Sequence, residues 1–186
     1  MNWLLFLSQL PANPSSLRVN VWRKLRAAGA LGLQNGVWLL PDHPENAAFL
    51  QDLLKMIQGQ NAGGQIFNVG ALTKSVEEDV RQRFNEERNQ EYDEFLEGTR
   101  AFLVEMQMET EKENFSFAEL EENEQSLQRL VTWLERIQRR DFAQVDKGKI
   151  AVQSLSDCQK AFDAFSTIIY QYHTGEYSTG SDGKDK

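Results

Sequence analysis

An Asn-Gly pair between two short apolar runs narrows the folds open to this chain more than any other feature. Asn35-Gly36 separates residues 30–34 from residues 37–41. Asn-Gly readily supplies the consecutive positive-φ positions of a two-residue hairpin, so two antiparallel strands are predicted here. Upstream, Leu17, Val21 and Leu25 recur at helical spacing and Gly29 follows the last turn, which predicts a helix stopped by glycine. Asn13 can cap that helix, with Pro14 at its first position. Residues 3–10 are apolar without polar alternation, the pattern of a central strand. Pro44 opens a second helix with Phe49, Leu50, Leu53, Leu54 and Ile57 on one face. Gly63-Gly64 ends the connection, and residues 65–69 alternate as a last strand.

The order β-α-β-β-α-β predicts an α+β fold with a ferredoxin-like head over residues 1–74. Residues 75–173 read as helix throughout. Ser75-x-x-Glu78 looks like a capping box, followed by a stripe of Val76, Val80, Phe84, Phe95, Phe102 and Met106. A second box, Ser116-x-x-Glu119, precedes Leu120, Leu127, Leu130, Val131, Leu134 and Ile137. A third helix near 150–172 carries Val152, Leu155, Phe162, Phe165, Ile169 and Tyr172. These stripes have to be buried on one another, on the sheet or on a second subunit. Residues 174–186 have no apolar periodicity and are expected to be disordered.

Charge divides the chain in the same place. The net charge is −8, yet residues 1–74 hold six Lys/Arg against three Asp/Glu, and residues 75–186 hold 14 against 25. The head is mildly basic and the body strongly acidic, so contacts to nucleic-acid phosphates are expected only from the head. The glutamates at 109, 111, 113, 119, 121, 122 and 124 read as the wetted face of a helix pair. The single cysteine, Cys158, excludes an internal disulfide and fits a cytoplasmic protein; its register with Leu155, Phe162 and Phe165 places it in a core. No run approaches the roughly 20 apolar residues of a membrane span, and the opening apolar run lacks the basic start of a secretory signal.

Enzymatic constellations are missing from the sequence. His43 and His173 stand alone, no Cys-x-x-Cys or His-x-x-x-His spacing is present, and residues 59–64 lack the Lys-Ser/Thr of a phosphate loop. No metal, cofactor or catalytic residue is therefore expected. The head also resembles ferredoxin-fold CRISPR-associated nucleases, but Ser8-Gln9-Leu10-Pro11 offers no carboxylate where those proteins place a metal-binding Asp.

Residues 2–41 carry a more specific resemblance. The stretch NWLLFLSQLPANPSSLRVNVWRKLRAAGALGLQNGVWLLP is similar to the N-terminal domain of the ChrB-type chromate resistance proteins. That family's pattern runs roughly W-L-L-x-x-x-x-L-P-x-x-P-S-x-L-R-V-x-x-W-R-x-L-x-x-x-G-A-x-x-L-x-x-G-V-x-x-L-P. The segments FNEERNQEYDEFLEGTR at 84–100 and Arg139-Arg140-Asp141-Phe142 continue it more sparsely. Full-length members carry a further C-terminal domain associated with chromate resistance; residues 1–186 are not expected to include it, and no activity of that domain is expected of them. The resemblance implies a cytoplasmic regulator or sensor that responds to chromate and governs an efflux gene. The alternative is a non-catalytic dimeric assembly module that partners a separate chromate-resistance domain.

If the ligand is an oxyanion, arginines matter most. Taking Arg18 as zero at 100° per residue puts Trp22 at about 40°, Leu25 at about 340° and Val21 at about 300°, so Arg18 is expected at a half-buried position inside the apolar arc. Arg23, Lys24 and Arg26 lie toward solvent or at its border, where promoter DNA could meet them. Arg88 and Tyr92 share one face of the first body helix with Phe84. A buried guanidinium there is expected to pair with a carboxylate of another helix, such as Asp141. The candidate ligand or DNA residues are thus Arg18, Arg23, Lys24, Arg26, Arg88 and Tyr92. A sheet with two covering helices leaves one face bare, and a homodimer is expected if the body does not cover it.

Overall fold

The computed structural model describes residues 2–13 and 15–175. Pro14, the expected first helical position, and residues 176–186 of the predicted tail lie outside the described residues. The chain is α+β. Its elements run β1 (Trp3–Gln9), α1 (Ser15–Ala27), β2 (Leu31–Gln34), β3 (Val37–Pro41), α2 (Pro44–Gln58), β4 (Gly63–Val69), α3 (Lys74–Glu111), α4 (Phe117–Gln138) and α5 (Lys147–Thr174). It divides into two compact units. One comprises Met1–Arg88 with Arg140–Ala143, and the other Asn89–Arg139 with the chain from Gln144 onward. Their boundary falls inside α3.

In the first unit the four strands form one antiparallel sheet in the order β2-β3-β1-β4. The central strand β1 pairs on both edges, opposing Leu5 to Leu39 on one side and to Phe67 on the other. Alternation along β1 sends Leu4 and Phe6 to one face and Trp3, Leu5 and Leu7 to the other. On the first face they meet Leu17, Val21 and Leu25 of α1 and Leu50, Leu53 and Ile57 of α2. Burying each such side chain stabilises the fold by roughly 1.5–3 kcal/mol. The hairpin turns at Gly36, whose φ is +76°, and a Cβ there would stand 2.6 Å from the Ser8 carbonyl oxygen. The turn is drawn in by Ser8, whose backbone N–H donates to the Gly36 carbonyl at 2.7 Å.

The second face of the sheet is covered at one end by the first turns of α3. Val80 and Phe84 pack on Trp3, Leu31 and Leu39, and the Trp3 and Phe84 rings stack with centroids 5.1 Å apart. The N-terminus of α3 departs from the expected Ser75 cap. The helix begins at Lys74, and the Thr73 hydroxyl accepts from the Val76 N–H at 3.4 Å, so the cap falls two residues earlier. Ser75 then lies in the first turn, and Val76, expected in the apolar stripe, is exposed.

The second unit is a helical core. Phe95, Phe102 and Met106 of α3 pack with Leu130, Leu134 and Ile137 of α4 and Leu155, Phe165 and Ile169 of α5. Val152 and Tyr172, expected on the α5 stripe, are exposed instead. Ala151, Leu155 and Cys158 hold the buried line, at spacings of four and three. The Ser116 box is present as expected, with the hydroxyl accepting from the Glu119 N–H at 3.2 Å. A small polar cluster interrupts the core. Thr99 is fully buried, its hydroxyl donates to the Leu96 carbonyl at 3.0 Å, and Ser154 donates to it at 2.7 Å. The Cys158 thiol contacts the Thr99 carbonyl at 3.5 Å.

Burial, with Asp157 adding to it, pushes the Cys158 thiol up from 9.0 to about 11. A raised acid stays neutral in the folded state after it ionises in the unfolded chain. The contribution is therefore complete below about pH 9 and is lost as the pH climbs towards 11. Stability should fall across that window by up to about 2–3 kcal/mol. Denaturant titrations of the parent and Cys158→Ala proteins at pH 8 and pH 10.5 should show the smaller loss in the variant.

Candidate functional site

Two concave surfaces of the first unit bear on the expected residues, and each carries arginine. The wider is an open groove of about 650 Å³ between α1, the end of β1 and the β2–β3 hairpin. Arg18, Val21 and Trp22 line its helical side, and Ser8, Gly36 and Trp38 the sheet side. Contrary to the half-buried expectation, Arg18 is exposed. The reason lies in α1 itself. Its buried stripe is only Leu17, Val21 and Leu25, while Val19 and Trp22 are 43% and 53% exposed. Half of the apolar arc thus faces solvent, and Arg18 stands on the groove wall beside Trp22. Arg23 and Lys24 are exposed as well, and Arg26 is half-buried. α1 consequently presents guanidinium, ammonium and indole groups on its outer surface.

Arg26 reaches away from that surface. Its Nη1 donates to Glu87 Oε2 at 2.8 Å, and the same oxygen lies 3.5 Å from Arg88 Nη2. One carboxylate therefore stands between two guanidiniums. Arg88 is 3% exposed. It packs against the end of α1, where Gly29 adopts φ +77° and the N–H groups of Gly29 and Ala30 return to the Arg26 and Leu25 carbonyls. This is a glycine-terminated helix end. A Cβ on Gly29 would lie 2.8 Å from Arg88 Nη1 and 2.9 Å from Arg140 Cβ. Glycine thus lets a cation settle against the negative pole of α1, an arrangement worth about 0.3–2 kcal/mol. Tyr92, one turn beyond Arg88, is 1% exposed and belongs to the core of the second unit.

Arg88 also lines the second concavity, a smaller cavity of about 190 Å³. Arg81 and Arg140 line it too, with Asn85 and the rings of Trp3, Phe84 and Phe142. The structure therefore brings Arg88 together with two arginines outside the candidate set, Arg140 having entered only through the sparser part of the family resemblance. Arg81 could have been found, because it precedes Arg88 by two helical turns on the same face. Arg140 lies more than fifty residues downstream, and no local pattern ties it to Arg88. Among the described residues no group of three or more His, Cys, Asp or Glu side chains is arranged to hold a metal ion. No helix among them is long and apolar enough to cross a membrane.

Gly29→Ala should be among the most damaging small substitutions in the first unit. It forces a Cβ into the positive-φ region and into contact with both Arg88 and Arg140, for an expected loss of about 2 kcal/mol or more. Thermal unfolding of the variant, with Gly59→Ala as the control in open α2-end backbone, measures it.

Comparison with known proteins agrees with this architecture at the level of family. The family profile described as Protein ChrB, N-terminal, matches residues 18–176. Protein ChrB of Cupriavidus metallidurans (strain ATCC 43123 / DSM 2839 / NBRC 102507 / CH34) is 33% identical over 94 residues, which cover 50% of this chain and 28% of that protein. The match thus spans little more than a quarter of the relative's length. With the family profile running from the first turn of α1 to the end of α5, the chain belongs to the ChrB N-terminal family.

Proposed function

We propose that this chain is a cytoplasmic, non-catalytic regulatory module of chromate resistance, which contacts DNA through α1 and controls an efflux gene in response to an oxyanion. Membership in the ChrB N-terminal family supports the chromate-resistance setting. The element order and the antiparallel sheet order β2-β3-β1-β4 support reading the head as ferredoxin-like. The observation that carries the regulatory reading is the outer surface of α1. Arg18, Arg23 and Lys24 stand exposed on one helix around an exposed Trp22, in a protein whose net charge is −8. Phosphate contacts need such side chains, and they position a protein on DNA without reading its sequence. The groove beside Arg18 is open enough to admit a hydrated tetrahedral anion, and a guanidinium can grip it through two parallel N–H donors.

A specific observation favours a second reading, the dimeric assembly module. Away from Val80 and Phe84, the second sheet face leaves Leu5, Leu7 and Val37 half-buried and Phe67 44% exposed. A twin copy seated there would need to bury at least roughly 1,000 Å² in total.

Gel shifts on the promoter of a chromate efflux gene separate the two readings. The regulator should bind in a salt-dependent way, and Arg23→Ala and Lys24→Ala should each lower the magnitude of the log–log salt slope by about 1. Chromate should release or tighten the complex, and Arg18→Lys should blunt that response without unfolding the protein. Binding unaffected by salt or by these substitutions would overturn the regulatory reading. A constant dimer by light scattering, weakened by Phe67→Asp and indifferent to DNA, would favour the assembly module.

A further inference from the structure

The small cavity at Arg88 has a composition that the regulatory reading does not use. Its polar wall is cationic, with the Arg81, Arg88 and Arg140 side chains converging on about 190 Å³. Its other wall is carbon, from Trp3, Pro41, Phe84 and Phe142. The Trp3 indole Nε1 is buried and has no hydrogen-bond partner among the described residues, although Trp3 is only 4% exposed. Buried indole N–H groups ordinarily find an acceptor, so a donor left over beside a cavity points to an acceptor that arrives with a ligand.

We propose that this cavity binds a small organic carboxylate with a flat apolar body, of the size of benzoate. The size is set by the volume. An apolar cavity of about 150 Å³ holds one benzene ring, and 190 Å³ adds room for a carboxylate. The charge is set by the guanidiniums, whose planar donors match the two oxygens of a carboxylate. Flatness follows from the walls. Trp3 and Phe84 already stack at an interplanar angle of 18°, so a ring laid beside them extends an existing stack. Arginine planes also stack on such rings.

The same walls weigh against an inorganic tetrahedral dianion as the occupant. A sulfate or phosphate placed here keeps no water on the side facing Phe84 and Phe142, and stripping a strongly hydrated ion against carbon is costly. An organic acid divides its surface as the cavity does, with the charged end towards the arginines and the carbon end towards the rings. Glu87 Oε2 is shared between Arg26 and Arg88, and the Glu77 carboxylate lies within electrostatic reach of Arg81, whose side chain is exposed at the mouth where an entering anion meets it first.

The Trp3 indole N–H in a 15N-labelled protein reads this directly, because it distinguishes Trp3 from Trp22, Trp38 and Trp133 once assigned with Trp3→Phe. Benzoate should shift the Trp3 signal saturably. Benzamide, with the same outline and no charge, should bind at least tenfold more weakly. Arg81→Ala, at the exposed rim where folding is not at stake, should weaken benzoate about tenfold, which corresponds to one lost charge-assisted hydrogen bond. Three results overturn the proposal: no Trp3 shift with benzoate, equal binding of benzamide, or an unchanged affinity in Arg81→Ala. A Trp3 shift with sodium sulfate at equal or lower concentration also overturns it and assigns the cavity to an inorganic anion. None of these readouts depends on the DNA response, so either reading can fail without the other.

Discussion

The first unit depends on the double-sided burial of β1. A seven-residue strand carries Leu4 and Phe6 to one face and Trp3 to the other, and hydrogen-bonds to a strand on each edge. Where such a strand is buried on both faces, each layer must be supplied by another part of the chain. α1 and α2 supply the first layer, and the opening turns of α3 supply part of the second. The position of α1 on the sheet in turn fixes where its C-terminal pole points, and that pole is where Arg88 is buried. The placement of the arginines is thus a consequence of which side chains β1 hides.

A guanidinium at 3% exposure is unusual in a protein of this size, and the way it is accommodated is instructive. Glu87 contributes a carboxylate oxygen at 3.5 Å, the last turn of α1 contributes its carbonyl dipoles, and Gly29 contributes the absence of a side chain. Charge, dipole and shape therefore act on one group from different segments. A cluster of this kind is costly to assemble and specific once assembled, because removing one partner exposes the others to an uncompensated charge. The same convergence surrounds the cavity with both cationic and aromatic walls, since Trp3 and Phe84 stack within the layer that α3 lays on the sheet.

The local parts of this arrangement were legible in the sequence. Asn35-Gly36 announced the hairpin and Gly29 the end of α1, because the positive φ that Gly36 and Gly29 adopt leaves a compositional mark that does not depend on distant residues, although Asn35 itself stays at negative φ. Ser116-x-x-Glu119 marked a helix start because its capping hydrogen bond joins residues three apart and is equally local. What depended on distant residues was less visible. Ser75-x-x-Glu78 has the same letters, yet Thr73 took the cap, since the helix start is decided among several hydroxyls within a few residues. Arg18 was placed in the apolar arc by angle alone, but whether an arc is buried depends on what packs on it, and only Leu17, Val21 and Leu25 are covered. The meeting of Arg81, Arg88 and Arg140 had no periodic signature, because Arg140 comes from a short connection between α4 and α5.

That connection has a consequence for how the chain is made. Residues 140–143 belong with the sheet, although the chain between 89 and 139 belongs to the helical unit. The two units are therefore interleaved along the polypeptide, and no single cut yields both intact. A nascent chain leaving the ribosome can form the hairpin and its helices early, but it acquires Arg140 and Phe142 only after α4 has been synthesised. Completion of the first unit must therefore wait until the chain through Ala143, α4 included, has been made, while α5 of the second unit is still to come.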